Sequence, residues 1–237
     1  MTDILIKTDE FMDLYKEVEE LLKNRGYKNG RSSMIMQFIS SPEGRQFKEE
    51  LNTCREMRNI LSHCPDIDGN QPLVPTDAAI GALKRVVNYL SDPPLALNRA
   101  TKGKDLFYAR LSDRAVPVMN KMVQHGYSHV PVFDNGSLFG VFSISTVFSK
   151  ALDTIGDPVT DDTLIGDFAE YLPIENHVCE NFVFANRNTT IIEAETILEK
   201  NPKSPGKRIA AIFITQNGSP KEYILGMLTP WDIIGGE

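Results

Sequence analysis

The chain has 237 residues and a mass of 26.5 kDa, and it is 41% hydrophobic and 24% charged, a balance that excludes a disordered or fibrous protein. This length provides for one or two domains, each with its own core. The net charge of −7 and the isoelectric point near 5.2 argue against a protein that holds bulk nucleic acid by charge alone, but they leave room for a local basic pocket.

The cysteines and the N-terminus indicate the compartment. Cys54, Cys64 and Cys179 are odd in number and lack C-x-x-C spacing, which favours reduced thiols over a disulfide framework or a zinc site. No basic start is followed by an apolar block, and no apolar run approaches the roughly 18 residues of a membrane span. We therefore expect a soluble, cytoplasmic protein without a metal site.

Apolar residues at helical spacing predict a compact bundle of about four helices before Pro94. Thr8 is the predicted N-cap of the first helix, and Gly26 suits its end. The other predicted segments are an apolar stretch from Met34 to Ile39, a helix opened by Ser41-Pro42 that runs to His63, and a helix capped by Thr76.

The helix that ends at His63 carries an arginine within its apolar stripe. Arg58 falls beside Leu51 at about 100° per residue, and a charge there is unfavourable unless it is paired or faces an interface or a cleft. Arg58 and His63 spell R-x-x-x-x-H, but on a straight helix they point about 140° apart. They meet only if the helix ends at His63 or if two subunits combine. The stripe consists of Phe47, Leu51, Cys54, Met57, Leu61 and Cys64.

The segment from Arg55 to His63, with the closing helix after Thr76, resembles the HEPN family of helical bundles. The resemblance implies a metal-independent ribonuclease in which two subunits build one cleft, and Arg58, Asn59 and His63 act at the scissile phosphate. An arginine fork and a histidine that titrates near neutral pH suit that chemistry. Two alternatives stay open. Arg58 pairs with an acid while His63 caps the helix C-terminus, or the bundle is silent and only dimerises or docks a partner.

The second half contains an internal repeat. Residues 137–146 align without gaps on residues 223–232, and each segment is a short strand with a central glycine followed by a hydroxyl residue that opens a turn. An Asn-Gly turn joins each to a preceding strand, and a helix precedes that strand; the second helix begins with a capping box from Thr190 to Glu193. The pattern predicts two copies of one unit with the order strand, helix, strand, strand, helix.

The residues 129–134, 140–143 and 226–232 resemble the CBS domain, and the likeness to a tandem pair of such domains covers about residues 101–237. It implies an adenine nucleotide as regulatory ligand (AMP, ATP, a dinucleotide or an adenosyl derivative) in a cleft between the two copies. In the family, the threonine and aspartate of a T-x-x-D turn hold the ribose.

Carried over, Thr229 and Asp232 hold the ribose, since an ionised carboxylate accepts hydrogen bonds from two adjacent hydroxyls. The first copy keeps a hydroxyl at Ser143 but has Thr146 where the aspartate is expected, so we expect one full and one degraded site. The alternative is that Thr229 merely caps the last helix, with Asp232 in its first turn.

The resemblance also places Tyr127, Ser128 and His129 at the base, with Tyr127 or His129 stacking on it and Ser128 at its edge. The alternative is that His129 only ends a strand. Five basic residues near the entry to this half are candidate phosphate contacts or a solvated face: Arg99, Lys102, Lys104, Arg110 and Arg114.

The sequence thus predicts an α+β protein with a helical bundle at 1–95, a first CBS motif at 96–160 and a second at 161–237. We expect a sensor whose bundle is the effector and possesses ribonuclease activity, assembled as a homodimer with the bundles facing each other. The alternative is a non-enzymatic regulator. RNA and an adenine nucleotide are the expected partners.

Overall fold

The computed structural model describes residues 2–66, 70–153, 158–199 and 206–234. Contacts between Cα atoms divide the chain into two units, Met1–Pro94 and Leu95–Glu237. The first unit contains α1 (Thr2–Asn24), α2 (Met34–Ser40), α3 (Lys48–His63) and α4 (Asp77–Ser91). The second contains α5 (Ala96–Arg99), β1 (Thr101–Lys102), β2 (Ala109–Arg110), α6 (Ala115–His125), β3 (His129–Asp134), β4 (Ser137–Ser143), α7 (Ile144–Asp153), β5 (Glu180–Asn186), α8 (Ile191–Glu199), β6 (Arg208–Thr215), β7 (Gly226–Leu228) and α9 (Pro230–Ile234).

The helix boundaries of the first unit follow local capping chemistry, with one exception. The hydroxyl of Thr76 accepts a hydrogen bond from the Ala79 amide at 3.2 Å, which caps α4 as predicted. Ser41 accepts from the Gly44 amide at 3.1 Å, but a 3₁₀ turn precedes α3. The prediction that Thr8 caps the first helix is wrong, because α1 begins at Thr2 and the Thr8 hydroxyl donates to Gln71 Oε1 at 2.7 Å.

The core of the first unit lies between α1 and the helices that pack on it. Phe11, Val18 and Leu22 of α1 are fully buried, as is Leu83 of α4. The apolar stripe of α3 holds at Leu51 and Cys54, which are 1% exposed. The prediction for Cys64 is wrong, because α3 ends at His63 and the exposed Cys64 continues in extended backbone.

The second unit confirms the predicted repeat of strand, helix, strand, strand, helix. In the first copy, from β2 to α7, β2 pairs parallel with β3, and β3 pairs antiparallel with β4. In the second copy, from β5 to α9, β5 pairs parallel with β6, and β6 pairs antiparallel with β7. The Asn135-Gly136 turn has φ angles of 48° and 81°, as a tight hairpin requires. The α+β fold class is therefore confirmed.

Two features of the sheets lie outside the sequence prediction. The strand β7 has only three residues, although the aligned segment starts at residue 223. The strand β1 precedes the first copy but pairs antiparallel with β7 of the second copy, so one sheet has the order β1-β7-β6-β5 and the other β2-β3-β4.

The repeated mid-strand glycine has a packing cause. A Cβ atom at Gly140 would collide with the carbonyl oxygen of Leu172, and that oxygen accepts a hydrogen bond from the Val141 amide at 2.8 Å. A Cβ atom at Gly226 would lie 3.1 Å from the Cβ of Ala100. In both copies the glycine marks a place where another segment crosses the strand closely.

Candidate functional site

A cleft of about 600 Å³ lies where three strands of the second unit begin. We call it the inter-copy cleft, because both copies contribute to its walls. Its polar and aromatic lining includes Ser128, His129, Glu180, Arg208, Thr229 and Trp231. A cavity of this size suits a nucleotide-sized ligand.

The strand pairing explains why these side chains converge. Since β5 and β6 run parallel, they begin at the same edge of their sheet, and Glu180 lies opposite Arg208 in register. His129 is the first residue of β3, and it faces Ser143 at the end of β4. The turns after β4 and β7 then bring Ser145 and Thr229 to the same cleft.

Three of the five predicted ligand residues, Ser128, His129 and Thr229, line the inter-copy cleft. Asp232 is half-buried beside Thr229, and its Oδ2 accepts hydrogen bonds from the Thr229 amide at 2.6 Å and from the Thr229 hydroxyl at 2.7 Å. These are the bonds of a capped helix start. In the part of the chain that the structure describes, Oδ1 of Asp232 accepts no hydrogen bond, so the carboxylate keeps one acceptor oxygen.

Tyr127 lies in a neighbouring apolar pocket of about 360 Å³, which shares Ser128 and Ile144 with the cleft. Its ring stacks on Phe107 at 5.7 Å and on His125 at 5.4 Å between ring centroids. Its predicted contact with a base stays a prediction.

The first copy closes the same turn without a carboxylate. The Ser143 amide donates to Thr146 Oγ1 at 3.1 Å, which matches the bond from the Thr229 amide to Asp232 in the second copy. The Thr146 hydroxyl is buried and donates to the Val141 carbonyl at 3.3 Å. Thr146 therefore serves the turn alone and presents no anionic oxygen.

None of the five predicted basic side chains lines the inter-copy cleft. Arg99 donates to the Ile233 carbonyl at 3.3 Å, Lys102 to the Leu97 carbonyl, and Arg114 pairs with Asp162 at 3.4 Å. Arg208 was not predicted from the sequence, but it lines the cleft and is exposed. Within the described residues, its guanidinium has no hydrogen-bond or ion-pair partner.

Two more residues of this region, Glu180 and His177, were also not predicted from the sequence. Glu180 is buried and accepts hydrogen bonds from His129, His177, Ser143 and Ser145 at 2.6–3.0 Å. Burial alone would raise the pKa of Glu180, but the hydrogen bonds from His129, His177 and Ser145 outweigh burial and hold the pKa well below its usual range. The cleft therefore has an ionised carboxylate at its floor.

The three residues predicted to act on RNA differ in how deeply they are buried and in what they contact. Arg58 is half-buried and its guanidinium sits over the Tyr15 ring, 5.7 Å from the centroid. Burial, the largest cause, raises the pKa of Tyr15 to about 12. Asn59 is exposed, and so is His63, the last residue of α3. Among the described residues, no hydrogen bond joins Arg58, Asn59 and His63, and no acid pairs with Arg58. The ribonuclease site stays a prediction.

Two further observations concern the part of the chain that the structure describes. No helix there is both long enough and apolar enough to cross a bilayer. No group of three or more His, Cys, Asp or Glu side chains there is placed to hold a metal ion.

One protein-family model matches this chain. Residues 103–153 match the CBS domain model. The matched segment spans the first copy from just before β2 to the end of α7. Comparison with curated proteins returned no match.

Solved structures with CBS domains resemble this chain at low identity. The structure of CBSX2 in complex with AMP is 14% identical, with a TM-score of 0.42, and the alignment covers 60% of this chain and 94% of that chain. The CBS domain of the bacterial CNNM/CorC family Mg²⁺ transporter in complex with ATP is 12% identical, covers 60% and 84%, and has a TM-score of 0.39. An uncharacterized conserved protein from Pyrococcus horikoshii is 21% identical, covers 60% and 90%, and has a TM-score of 0.40. The AMP and the ATP are ligands of those proteins.

Proposed function

We propose that this protein is a regulator that binds an adenine nucleotide in the inter-copy cleft. The observation that carries the proposal is the convergence of Ser128, His129 and Thr229, which match the CBS ligand motifs, on one cleft of about 600 Å³. The CBS match to residues 103–153 supports the same ligand class.

The cleft offers a different chemical group for each part of a nucleotide. Arg208 provides a planar fork for phosphate oxygens. Trp231 is 75% exposed at the rim and offers a ring face on which a base can stack. The unbonded oxygen of Asp232 and the Thr229 hydroxyl suit the ribose.

The helical unit is the proposed effector. Its ribonuclease activity rests on the sequence resemblance at Arg58, Asn59 and His63, and it is tested separately below. The alternative function is a non-enzymatic regulator whose helical unit dimerises or docks a protein partner.

The single tryptophan of the chain gives a direct test. Since Trp231 lines the cleft, titration with AMP, ADP or ATP is expected to change its fluorescence with saturation. Arg208→Ala removes a charged hydrogen-bond donor and is expected to weaken binding by about 10- to 100-fold.

Arg110→Ala is the matched control, since Arg110 lines a different cavity and does not line the inter-copy cleft. Its affinity should equal that of the unchanged protein. If none of the three nucleotides at millimolar concentration gives a fluorescence change or a calorimetric signal, the proposed function is refuted.

A further inference from the structure

A second cavity of the second unit, of about 640 Å³, lies at the other end of β3 from the inter-copy cleft. The strand begins in the inter-copy cleft at His129 and ends at the second cavity, where Phe133 and Asp134 belong to the wall. The two cavities are therefore about 15 Å apart along the strand. We call the second one the hairpin cavity, because the Asn135-Gly136 turn between β3 and β4 also lines it.

Three side chains of the first copy form one cluster in the wall of the hairpin cavity: Tyr108, Arg110 and Phe133. The Tyr108 and Phe133 rings meet edge to face, with their centroids 5.5 Å apart. The central guanidinium carbon of Arg110 lies 6.0 Å from the centroid of the Tyr108 ring. In the parallel pair of β2 and β3, Arg110 lies opposite Phe133 in register. The Tyr108 ring therefore holds the guanidinium at the cavity through a cation–π contact.

The guanidinium of Arg110 has no hydrogen-bond acceptor or acidic partner among the described residues. The nearest acid in the sequence, Asp113, is engaged with the backbone, since its Oδ2 accepts a hydrogen bond from the Arg110 amide at 2.8 Å. A guanidinium offers five N–H donors in a planar fork that matches the two oxygens of a carboxylate. Arg110 therefore presents an unused anion-binding group in the wall of a cavity.

The charges at the hairpin cavity favour a ligand with a single negative charge. Among the described residues that line it, Arg110 is the only lysine or arginine, and Asp134 brings a carboxylate to the same wall. A nucleotide phosphate chain carries two or more negative charges, and a second charge would be repelled by Asp134 without a further cation to balance it. One carboxylate on the ligand is balanced by Arg110 alone.

Tyr223 brings an exposed ring from the second copy to the hairpin cavity. Its side chain is 69% exposed, and no other aromatic ring of the described residues packs on it. Its backbone is held on both sides, because Glu222 accepts from the Asn217 amide at 2.7 Å and the Leu225 carbonyl accepts from the Gly103 amide at 2.8 Å. Tyr223 therefore offers an open ring surface, on a fixed segment, for a ring of a ligand.

We propose that the hairpin cavity binds a small aromatic monocarboxylate, with the carboxylate on the Arg110 guanidinium and the ring on Tyr223. A wall of aromatic side chains with one charged group that fixes the orientation of the ligand is the usual form of a small-molecule site. The inference uses no residue of the inter-copy cleft, and it does not depend on the proposed function.

Phenylpropionate is the probe, because it carries one aromatic ring and one carboxylate. Two related compounds each lack one of these features: phenylpropanamide has no charge, and cyclohexylpropionate has no aromatic ring. Calorimetry and ligand-observed nuclear magnetic resonance with the full chain measure the three affinities at millimolar concentrations. We expect phenylpropionate to bind, the amide to bind about 10- to 100-fold more weakly, and cyclohexylpropionate about 2- to 10-fold more weakly.

Two variants test the assigned residues, and both truncate exposed side chains. Arg110→Ala is expected to weaken phenylpropionate binding by about 10- to 100-fold, and Tyr223→Ala by about 2- to 10-fold. Arg114→Ala is the matched control, since Arg114 is an exposed arginine of the same copy that pairs with Asp162 and does not line the hairpin cavity. Its affinity for phenylpropionate should equal that of the unchanged protein.

Absence of phenylpropionate binding at millimolar concentration overturns the inference, as does equal binding of phenylpropionate and its amide by the unchanged protein. Unchanged binding in Arg110→Ala, or an equal loss in Arg114→Ala, also overturns it. Addition of AMP should leave the affinity for phenylpropionate unchanged, whereas displacement of the probe by AMP would place the probe in the inter-copy cleft and overturn the inference. AMP binding is measured separately, so failure of this inference leaves the proposed function standing.

Discussion

The two units of this protein each carry a short motif of chemically capable side chains, but only the second unit gathers them around a cavity. In the helical unit, Arg58 rests on the Tyr15 ring while His63 ends α3 in solvent. In the second unit, strand starts from both copies bring His129, Glu180 and Arg208 to one cleft. A motif on a single helix spreads its side chains around the axis, whereas strand ends in paired sheets concentrate theirs at one edge.

The two copies of the second unit differ at the turn that follows their last strand. Thr146 and Asp232 both accept the capping bond of their turn. Thr146 is buried, whereas Asp232 is half-buried with one free oxygen. If the cleft binds a nucleotide as proposed, capping and ligand binding are separable roles of this position, and the first copy retains only capping.

The largest expected effect is a loss of RNA cleavage, and it tests whether the helical unit also has a functional site. If two subunits combine Arg58 and His63 into a ribonuclease site, His63→Ala should lower RNA cleavage by about 10²–10⁴-fold, since it removes a general acid–base group. Arg58→Lys should also lower it, because the charge stays but the planar fork is lost. Gel assays with single-stranded RNA measure cleavage by both variants. The RNA products should end in 2′,3′-cyclic phosphate, and a chelator should leave cleavage unchanged.

His125→Ala, in the other unit, is the control and should cleave normally. The same model requires a homodimer, so light scattering should give twice the 26.5 kDa chain mass. Absence of cleavage by the unchanged protein, with and without nucleotide, would favour the non-enzymatic alternative.

The next largest effect is expected on AMP affinity, and it tests whether the second copy provides the ligand contact that the first copy lacks. Asp232→Ala is expected to weaken AMP binding by about 10- to 100-fold, because a charged acceptor for the ribose is lost. Asp232→Asn keeps an oxygen that can cap Thr229, so it separates the loss of charge from a frayed α9. Calorimetry gives both affinities, and unchanged binding in Asp232→Ala would exclude the ribose role.

A third prediction concerns the carboxylate that joins the copies. Because the pKa of Glu180 is lowered in the folded protein, its ionisation stabilises the fold above the usual carboxyl pKa, and that stability is lost as pH falls through the folded value. Glu180→Gln is expected to lower the free energy of unfolding by about 1.5–3 kcal/mol at pH 7. Urea denaturation at pH 7 and pH 4 should show a smaller difference at the lower pH; a difference that grows on acidification would contradict this sign.

The smallest effect is expected in the first copy. Thr146→Ala removes a cap and should destabilise the protein by about 1 kcal/mol, while AMP affinity stays within about twofold of the unchanged protein. Thr146→Ser keeps the hydroxyl and serves as control. A large loss of AMP affinity in Thr146→Ala would place the ligand in the first copy instead.

The sequence predicted the repeat, its hairpins and the capping box because these depend on local signals. Thr190 and Glu193 exchange the predicted bonds at 2.8 and 3.2 Å. The prediction for Thr8 was wrong because a threonine inside a helix cannot be told from an N-cap threonine in the sequence when the apolar pattern before it is weak. Its role is set by Gln71, which is far away in sequence.

The cleft was predictable only in part, for a topological reason. Thr229 and His129 stand in recognisable motifs, whereas Glu180 and Arg208 have no sequence signature. They meet because β5 and β6 start together in a parallel pair. Once the repeat was aligned, the first residue of each paired strand was a usable signal, since equivalent positions in the two copies must lie at one edge.

The placement of β1 has a consequence for how this half of the protein is inherited and made. The strand precedes the first copy in the chain but completes the sheet of the second copy beside β7. A gene fragment that encodes the second copy alone would leave β7 as a bare sheet edge, open to pairing with other chains. The duplication is therefore modular in sequence but not in folding. The smallest fragment with both sheets complete contains both copies together with the residues that precede them.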